Sequence, residues 1–400
     1  MSISNELRDR LLDRAKKILP QQIKWRRHLH QYPELSALEF ETTAYIRKLV
    51  SPMGLKELPV SLETGLMADL KGKHSGKTVA VRCDIDALPV TELTGLPYRS
   101  KIEGRMHACG HDVHVAIALG TAALLKDFRS DLHGNVRFIF QPAEEQPPGG
   151  ARPLIADGAV KNVAMIFALH VDPTLPTGKI SLRDGITMGS VADFDLTIHG
   201  VGGHAARPHE AVDAIAVAAE VIESMQKIVS REIDPIQPVV ITFGKIEGGI
   251  ARNTICDRVK LTATARALSP VAAGRIKRLT KRIADNICRA HGARAELEFV
   301  ANYPPMINHP SANKILADNF GTLFSKRKIE LTEQVLGGED FSCYLEKTPG
   351  AMFRLGIMNK AIKADQPWHS PKFIVDEDAI FYGTSLLAAS VLDYLQERAG

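Results

Sequence analysis

The sequence predicts a two-domain α/β protein, a sheet with helices on both faces interrupted by an inserted two-layer sandwich. Three observations predict it. Short apolar strands alternate with helical segments through the first half, the order that builds a sheet covered on both sides. Around Gly189 the pattern changes to strands that alternate apolar and polar residues, as strands with one wet face do. The 400 residues also exceed what one hydrophobic core usually covers.

Taken in order, residues 11–29 and 39–49 have helical spacing, and residues 78–83 read as a strand running into Asp84 and Asp86. Residues 113–126 form a helix rich in Ala and Leu, and residues 135–140 and 164–169 are strands, the second ending on His170. Beyond Gly189 the strands are 191–199, 238–246, 258–268 and 295–300, with helices at 211–229 and 275–290. That β-α-β-β-α-β order describes a ferredoxin-like sandwich. The segment after Tyr303 resumes elements that need a partner sheet, so the sandwich reads as an insertion. The expected domains are therefore 1–188 and 303–400, together one catalytic domain, with 189–302 as the insert.

Composition excludes several classes. With 45% hydrophobic and 24% charged residues the chain is globular. A net charge of +4, dispersed among 46 acids, argues against a nucleic-acid partner. Its nearest basic stretch, Arg275 to Arg282, reads as the wet face of a helix. The first residues lack the apolar core of a signal peptide and no stretch is long enough to span a bilayer. Five scattered cysteines without a CxxC argue against a disulfide framework and for a reducing cytoplasm.

The chemistry lies where potential ligands fall. Asp84 and Asp86 follow one expected strand, Glu144 and Glu145 follow the next through Gln141-Pro142-Ala143, and His170 ends a third. In open α/β sheets, sites form at the carboxyl ends of strands. Four carboxylates and an imidazole gathered there are costly unless cations hold them. His107-Ala108-Cys109-Gly110-His111-Asp112 adds a thiol and imidazoles just before a helix, whose positive end favours thiolate. Nitrogen and sulfur beside carboxylate oxygen suit Zn, Mn, Co or Ni better than Mg or Ca.

These segments, with Arg26-Arg27-His28, Pro33-Glu34, Gly337-Gly338-Glu339-Asp340-Phe341 and His369-Ser370-Pro371-Lys372-Phe373, occur in an order over nearly the whole chain. In it the chain resembles the aminoacylase, hippurate hydrolase and indole-acetyl-amino-acid hydrolase branch of the metal-dependent amidohydrolases (peptidase family M20). The resemblance implies a mixed-sheet, zinc-peptidase-like catalytic domain with two divalent metal ions per subunit, and an inserted lid that forms a homodimer or a tetramer. It implies Cys109, His111, Glu145, His170 and His369 as metal ligands and Glu144 as general base. Related peptidases carry His-x-Asp where this chain has Asp84-Ile85-Asp86, so Asp86 reads as a group orienting a ligand. In the lid, Gly202-Gly203-His204-Ala205-Ala206 and Ala251-Arg252-Asn253-Thr254-Ile255 match family motifs. His204 is then expected to reach the partner subunit's site and stabilise the oxyanion. Asn253 and Arg266 are expected near the substrate, Arg266 as a fork for its carboxylate. Cys256 stands where the family usually has Pro.

The expected activity is hydrolysis of small N-acyl amino acids, N-acetyl, N-benzoyl or similar. A metallo-dipeptidase or carboxypeptidase differs little at the scissile bond. Two readings from other classes are a metal-free cysteine hydrolase using Cys109 and a non-catalytic binding protein on the same fold.

Overall fold

A computed structural model of the protein describes residues 3–324 and 329–397. The expected domain ranges 1–188 and 303–400 include residues 1–2, 325–328 and 398–400, which lie outside it. The chain divides into two compact units. The first comprises Met1–Gly185, Ile307–Glu333 and Cys343–Gly400, and the second Ile186–Met306 with Gln334–Ser342. The Gly337–Phe341 motif thus belongs to the second unit.

The first unit is built on an eight-stranded mixed sheet. Its strands run, from one edge to the other, Lys56–Leu58, Leu66–Lys71, His133–Gln141, His74–Asp84, Val163–Pro176, Gly350–Met358, Ile180–Leu182 and Ile329–Leu331. The central four are parallel, so their carboxyl ends meet at one edge of the sheet. Central strands buried on both faces read as near-continuous apolar runs, as Thr78–Cys83 and residues 350–357 do, each broken by one buried arginine, Arg82 and Arg354.

The helix His111–Asp127 packs on the sheet and against the helices Asn5–Gln31 and Ala379–Glu397. Fourteen of its residues are buried, around its whole circumference, which explains a sequence apolar on every side. Each large apolar side chain buried there contributes about 1.5–3 kcal/mol. The helix Asn5–Gln31 instead buries one stripe, Leu7, Leu11, Ala15, Ile18, Gln22, Trp25, Arg26 and Leu29, and starts on Ser4, whose hydroxyl accepts the Leu7 N–H at 3.2 Å.

The second unit is a four-stranded antiparallel sheet, ordered Val239–Gly248, Arg258–Ala267, Ser190–His199, Arg294–Tyr303. The helices Ala214–Lys227 and Pro270–Ala290 cover one face through Val217, Val221, Met225, Ile276 and Leu279. Both helices begin on side-chain caps, Asp213 and Ser269. The other face carries ion pairs such as Lys260 with Asp195 at 2.7 Å. All five cysteines are free and buried. Among the described residues no helix is long and apolar enough to cross a membrane.

Candidate metal centre

The central strands part company at their carboxyl ends. Pairing between His74–Asp84 and Val163–Pro176 runs only to Arg82 with Ala168. Asp84 and His170 lie just past that point, and the start of the helix His111–Asp127 fills the gap. The sequence reading makes His170 the end of its strand. That expectation is corrected: the strand continues to Pro176, because Gly350–Met358 still pairs with it, Arg354 opposite His170. On the other side His114 replaces the missing ladder partner, its Nε2 accepting the Val171 N–H at 3.0 Å.

That bond fixes a chain of protons. With Nε2 accepting, His114 carries its proton on Nδ1 and donates it to Asp84 Oδ1 at 2.6 Å. His170 donates from Nδ1 to the Val171 carbonyl at 2.8 Å, leaving its Nε2 bare and 3.5 Å from Cys109 Sγ. His111 donates from Nδ1 to the Asp86 carbonyl at 3.0 Å and to its carboxylate at 3.2 Å, leaving its Nε2 without a partner among the described residues. A partner on one ring nitrogen that frees the other is how a ligating imidazole is held. Asp86 Oδ2 also accepts the Glu145 N–H at 3.0 Å. Asp84 is fully engaged, since Arg82 Nη1 donates to its Oδ2 at 2.8 Å. Burial would raise its pKa, but His111, His114 and Arg82 hold it well below the usual carboxylate range.

Two overlapping donor sets result. Cys109, His111 and His170 bring ligand atoms within 4.8 Å of one another, as do Cys109, Glu145 and His369. A further set joins His111, Glu144 and Glu145. His111 Nε2 and Glu145 Oε1 are buried without a hydrogen-bond partner among the described residues, 3.8 Å apart. A buried polar atom left so costs about 1–3 kcal/mol, and a divalent cation between them removes that cost. The donors, thiol, imidazole and carboxylate, suit a borderline metal ion. The residues therefore fit the group. His369 Nε2 lies 3.6 Å from Glu145 Oε1 on a side chain 55% exposed. Its backbone is left-handed, φ 64°, and its N–H is held by the Ala108 carbonyl at 2.9 Å.

One expectation about Cys109 is corrected. The helix end does not make it a thiolate: burial and Glu145 push its pKa well above the usual thiol range. His170 beside it is pushed well below the ordinary imidazole range by burial and Arg354. On His111 burial opposes charge, but Asp84 favours it, and its pKa is raised well above the usual value.

The first unit thus gathers Cys109, His111, Glu144, Glu145, His170 and His369, with Asp86 behind them. His204, Asn253 and Arg266 belong to the second unit. His204 and Asn253 are neighbours there: Thr254 pairs with His204, and the Ala205 N–H donates to the Asn253 carbonyl at 3.1 Å. Both are exposed. Arg266 stands near the opposite end of its strand, 3.7 Å from Asp193. Sequence reasoning missed His114, although its spacing of three from His111 puts both on one helix face. It also missed Arg82, for which an apolar strand gives no signal.

The model of peptidase family M20/M25/M40 matches residues 80–393. A Bacillus subtilis protein named N-acetyl-L-cysteine deacetylase is 40% identical over 91% of this chain and 86% of its own length. A Saccharolobus solfataricus protein named Thermostable carboxypeptidase 1 is 39% identical over 90% of this chain and 92% of its own. A solved Bacillus subtilis structure, described as a dinuclear metal binding peptidase from the M20 family, superposes with a TM-score of 0.82 at 34% identity, covering 95% of this chain and 99% of that one. The match over more than half the chain, with relatives this similar over nearly all of it, settles the family: the chain belongs to peptidase family M20/M25/M40.

Proposed function

We propose that the protein is a metal-dependent amidohydrolase that splits N-acyl amino acids into a carboxylate and a free amino acid. The observation that carries this reading is the pair of donor sets sharing Cys109, with two bare buried ligand atoms and an adjacent second glutamate. The relative named a deacetylase of an N-acyl amino acid supports the substrate class.

Cys109, His111, Glu145, His170 and His369 would hold two divalent ions, Zn, Mn, Co or Ni, and Asp86 keeps the His111 ring and the Glu145 backbone in place. Bound there, such ions supply a polarised water and a polarised substrate carbonyl. Glu144 would take a proton from the attacking water as its oxygen joins the acyl carbon, then pass the proton to the amide nitrogen as the C–N bond breaks. The products are the carboxylate and the amino acid.

The second unit has the strand and helix order of a ferredoxin-like sandwich, which we assign as a lid, inserted at about 189–302, and as the dimer surface. Its edge strand Val239–Gly248 exposes Val240 and Ile246, and Ile250 beyond it is 92% exposed, a surface a second copy can cover. Arg266 lies eight residues along its strand from Arg258, about 26 Å at the usual rise, while His204 and Asn253 lie at the Arg258 end. That spacing supports dividing the three residues between two sites. His204 and Asn253 serve the partner's site, His204 stabilising the oxyanion, and Arg266 takes the substrate carboxylate in its own. Free cysteines throughout fit a reducing cytoplasm.

The relative named a carboxypeptidase supports a second reading, a metallo-dipeptidase or carboxypeptidase. A panel of N-acetyl, N-benzoyl and indole-acetyl amino acids against dipeptides and longer peptides, with Mn or Zn added, separates them. We expect kcat/KM for the best N-acyl amino acid to exceed that for any peptide by at least about tenfold, some 1.4 kcal/mol of transition-state binding. The reverse order assigns the protein to the peptidases.

A further inference from the structure

The segment 33–39 has no part in the reading above, yet it ends on a fully buried carboxylate, Glu39. Glu39 is the N-cap of the helix Phe40–Val50 but makes no side-chain cap bond to it. Its carboxylate reaches elsewhere. Oε1 accepts the Ala143 N–H at 2.8 Å and the Ala37 N–H at 3.0 Å, and Oε2 accepts the Thr64 hydroxyl at 2.8 Å. Ala37 and Ala143 both have left-handed backbones, φ 63° and 54°. Residues with a Cβ stay there only when their surroundings hold them.

Ala143 immediately precedes Glu144. Two residues on, the Glu145 N–H is held by Asp86 Oδ2, which also accepts the Ser36 hydroxyl at 2.7 Å. Two buried carboxylates thus clamp alternate N–H groups of the strap 143–145, and the segment 33–39 ties them together. Asp86 fixes the half that carries Glu145. Glu39 fixes the half that sets where the Glu144 side chain leaves the backbone.

We propose that Glu39 is a positioning residue for Glu144, holding Ala143 left-handed so that the Glu144 carboxylate stands in place. This rests on the reading of Glu144 as the base. The test is a double-mutant cycle on the metal-loaded enzyme with Glu39→Ala and Glu144→Gln, and with Glu39→Gln as the conservative variant. We expect Glu39→Ala to lower kcat about ten- to a hundredfold, the scale of a misplacement near 1 Å, with KM within about threefold and bound metal unchanged. Glu39→Gln should recover most of that, because its amide oxygen still accepts the Ala143 N–H while Thr64 can turn to accept from the amide. In the Glu144→Gln background Glu39→Ala should cost less than about a further threefold, since the group it serves is gone. If Glu39→Ala does not fold, Thr64→Val takes its place in the same cycle. A loss that adds in full to that of Glu144→Gln, or that follows bound metal, overturns the role of Glu39. Normal turnover of Glu144→Gln alone overturns the base reading itself and the proposal with it.

Discussion

Glu144 and Glu145 are adjacent in sequence, but the proposed mechanism asks opposite behaviour of them, one to stay off the metal and carry a proton, the other to stay on it. The backbone divides them, since Asp86 holds the Glu145 N–H and sets its Oε1 3.6 Å from His369 Nε2. Glu144→Gln should therefore keep its metal and lose kcat by roughly two to four powers of ten, the usual share of general acid–base catalysis. Glu145→Ala should lose bound metal as well as rate, and unchanged metal content by elemental analysis would exchange the two roles. Cys109 allows a second comparison. Its thiol is disfavoured as a thiolate by burial and by Glu145, so only a cation makes it a good ligand. Cys109→Ser should retain less metal and shift the metal preference. A thiol-alkylating reagent should react more slowly at Cys109 in loaded than in stripped protein; equal rates would take the thiol off the metal.

The gap between the strands His74–Asp84 and Val163–Pro176 is what lets the start of the helix bring His111 to the donor sets and His114 to the free Val171 N–H. Gly110 makes that entry possible. It is left-handed at φ 88°, and a Cβ there would stand 2.5 Å from Val171 Cγ2. Gly110→Ala should thus cost about 1–3 kcal/mol of stability through backbone strain and overpacking, read from its denaturant midpoint, together with weaker metal retention. A midpoint at the wild-type value would show that the helix start adapts freely. Asp84, Asp86, Glu144 and Glu145 were legible in the sequence because they follow apolar strands at their carboxyl ends, a local feature, and Cys109 and His111 because their spacing stands just before a helix, whereas His369 came only through the family resemblance. What was not legible depends on register. Nothing local tells that the strand carrying His170 continues to Pro176, that His114 caps the broken ladder, or that Glu39 reaches across more than a hundred residues to Ala143. The Cys109 thiol misled for a related reason: nearness to a helix end is read from sequence, while burial and the approach of Glu145 come from the fold.

For the whole molecule, the proposed dimer is a functional matter, because Arg266 stands near one end of its strand and His204 and Asn253 lie beyond the other. His204→Ala and Glu144→Gln subunits, each inactive alone, should complement when unfolded and refolded together in equal amounts. Random pairing makes about half the dimers mixed, each with one intact site of two, so about a quarter of wild-type activity should return. A demonstrably mixed dimer as inactive as its parents would show that His204 does not act across subunits. The central claim, amide hydrolysis through a centre built on Cys109, His111, Glu145, His170 and His369, is tested most directly by stripping the enzyme with a chelator. Mn or Zn is then titrated back while bound metal and hydrolysis of an N-acetyl amino acid are followed together. The account predicts no turnover in the stripped protein and its return as metal fills two sites per chain. Full turnover with metal shown by elemental analysis to be absent would contradict it.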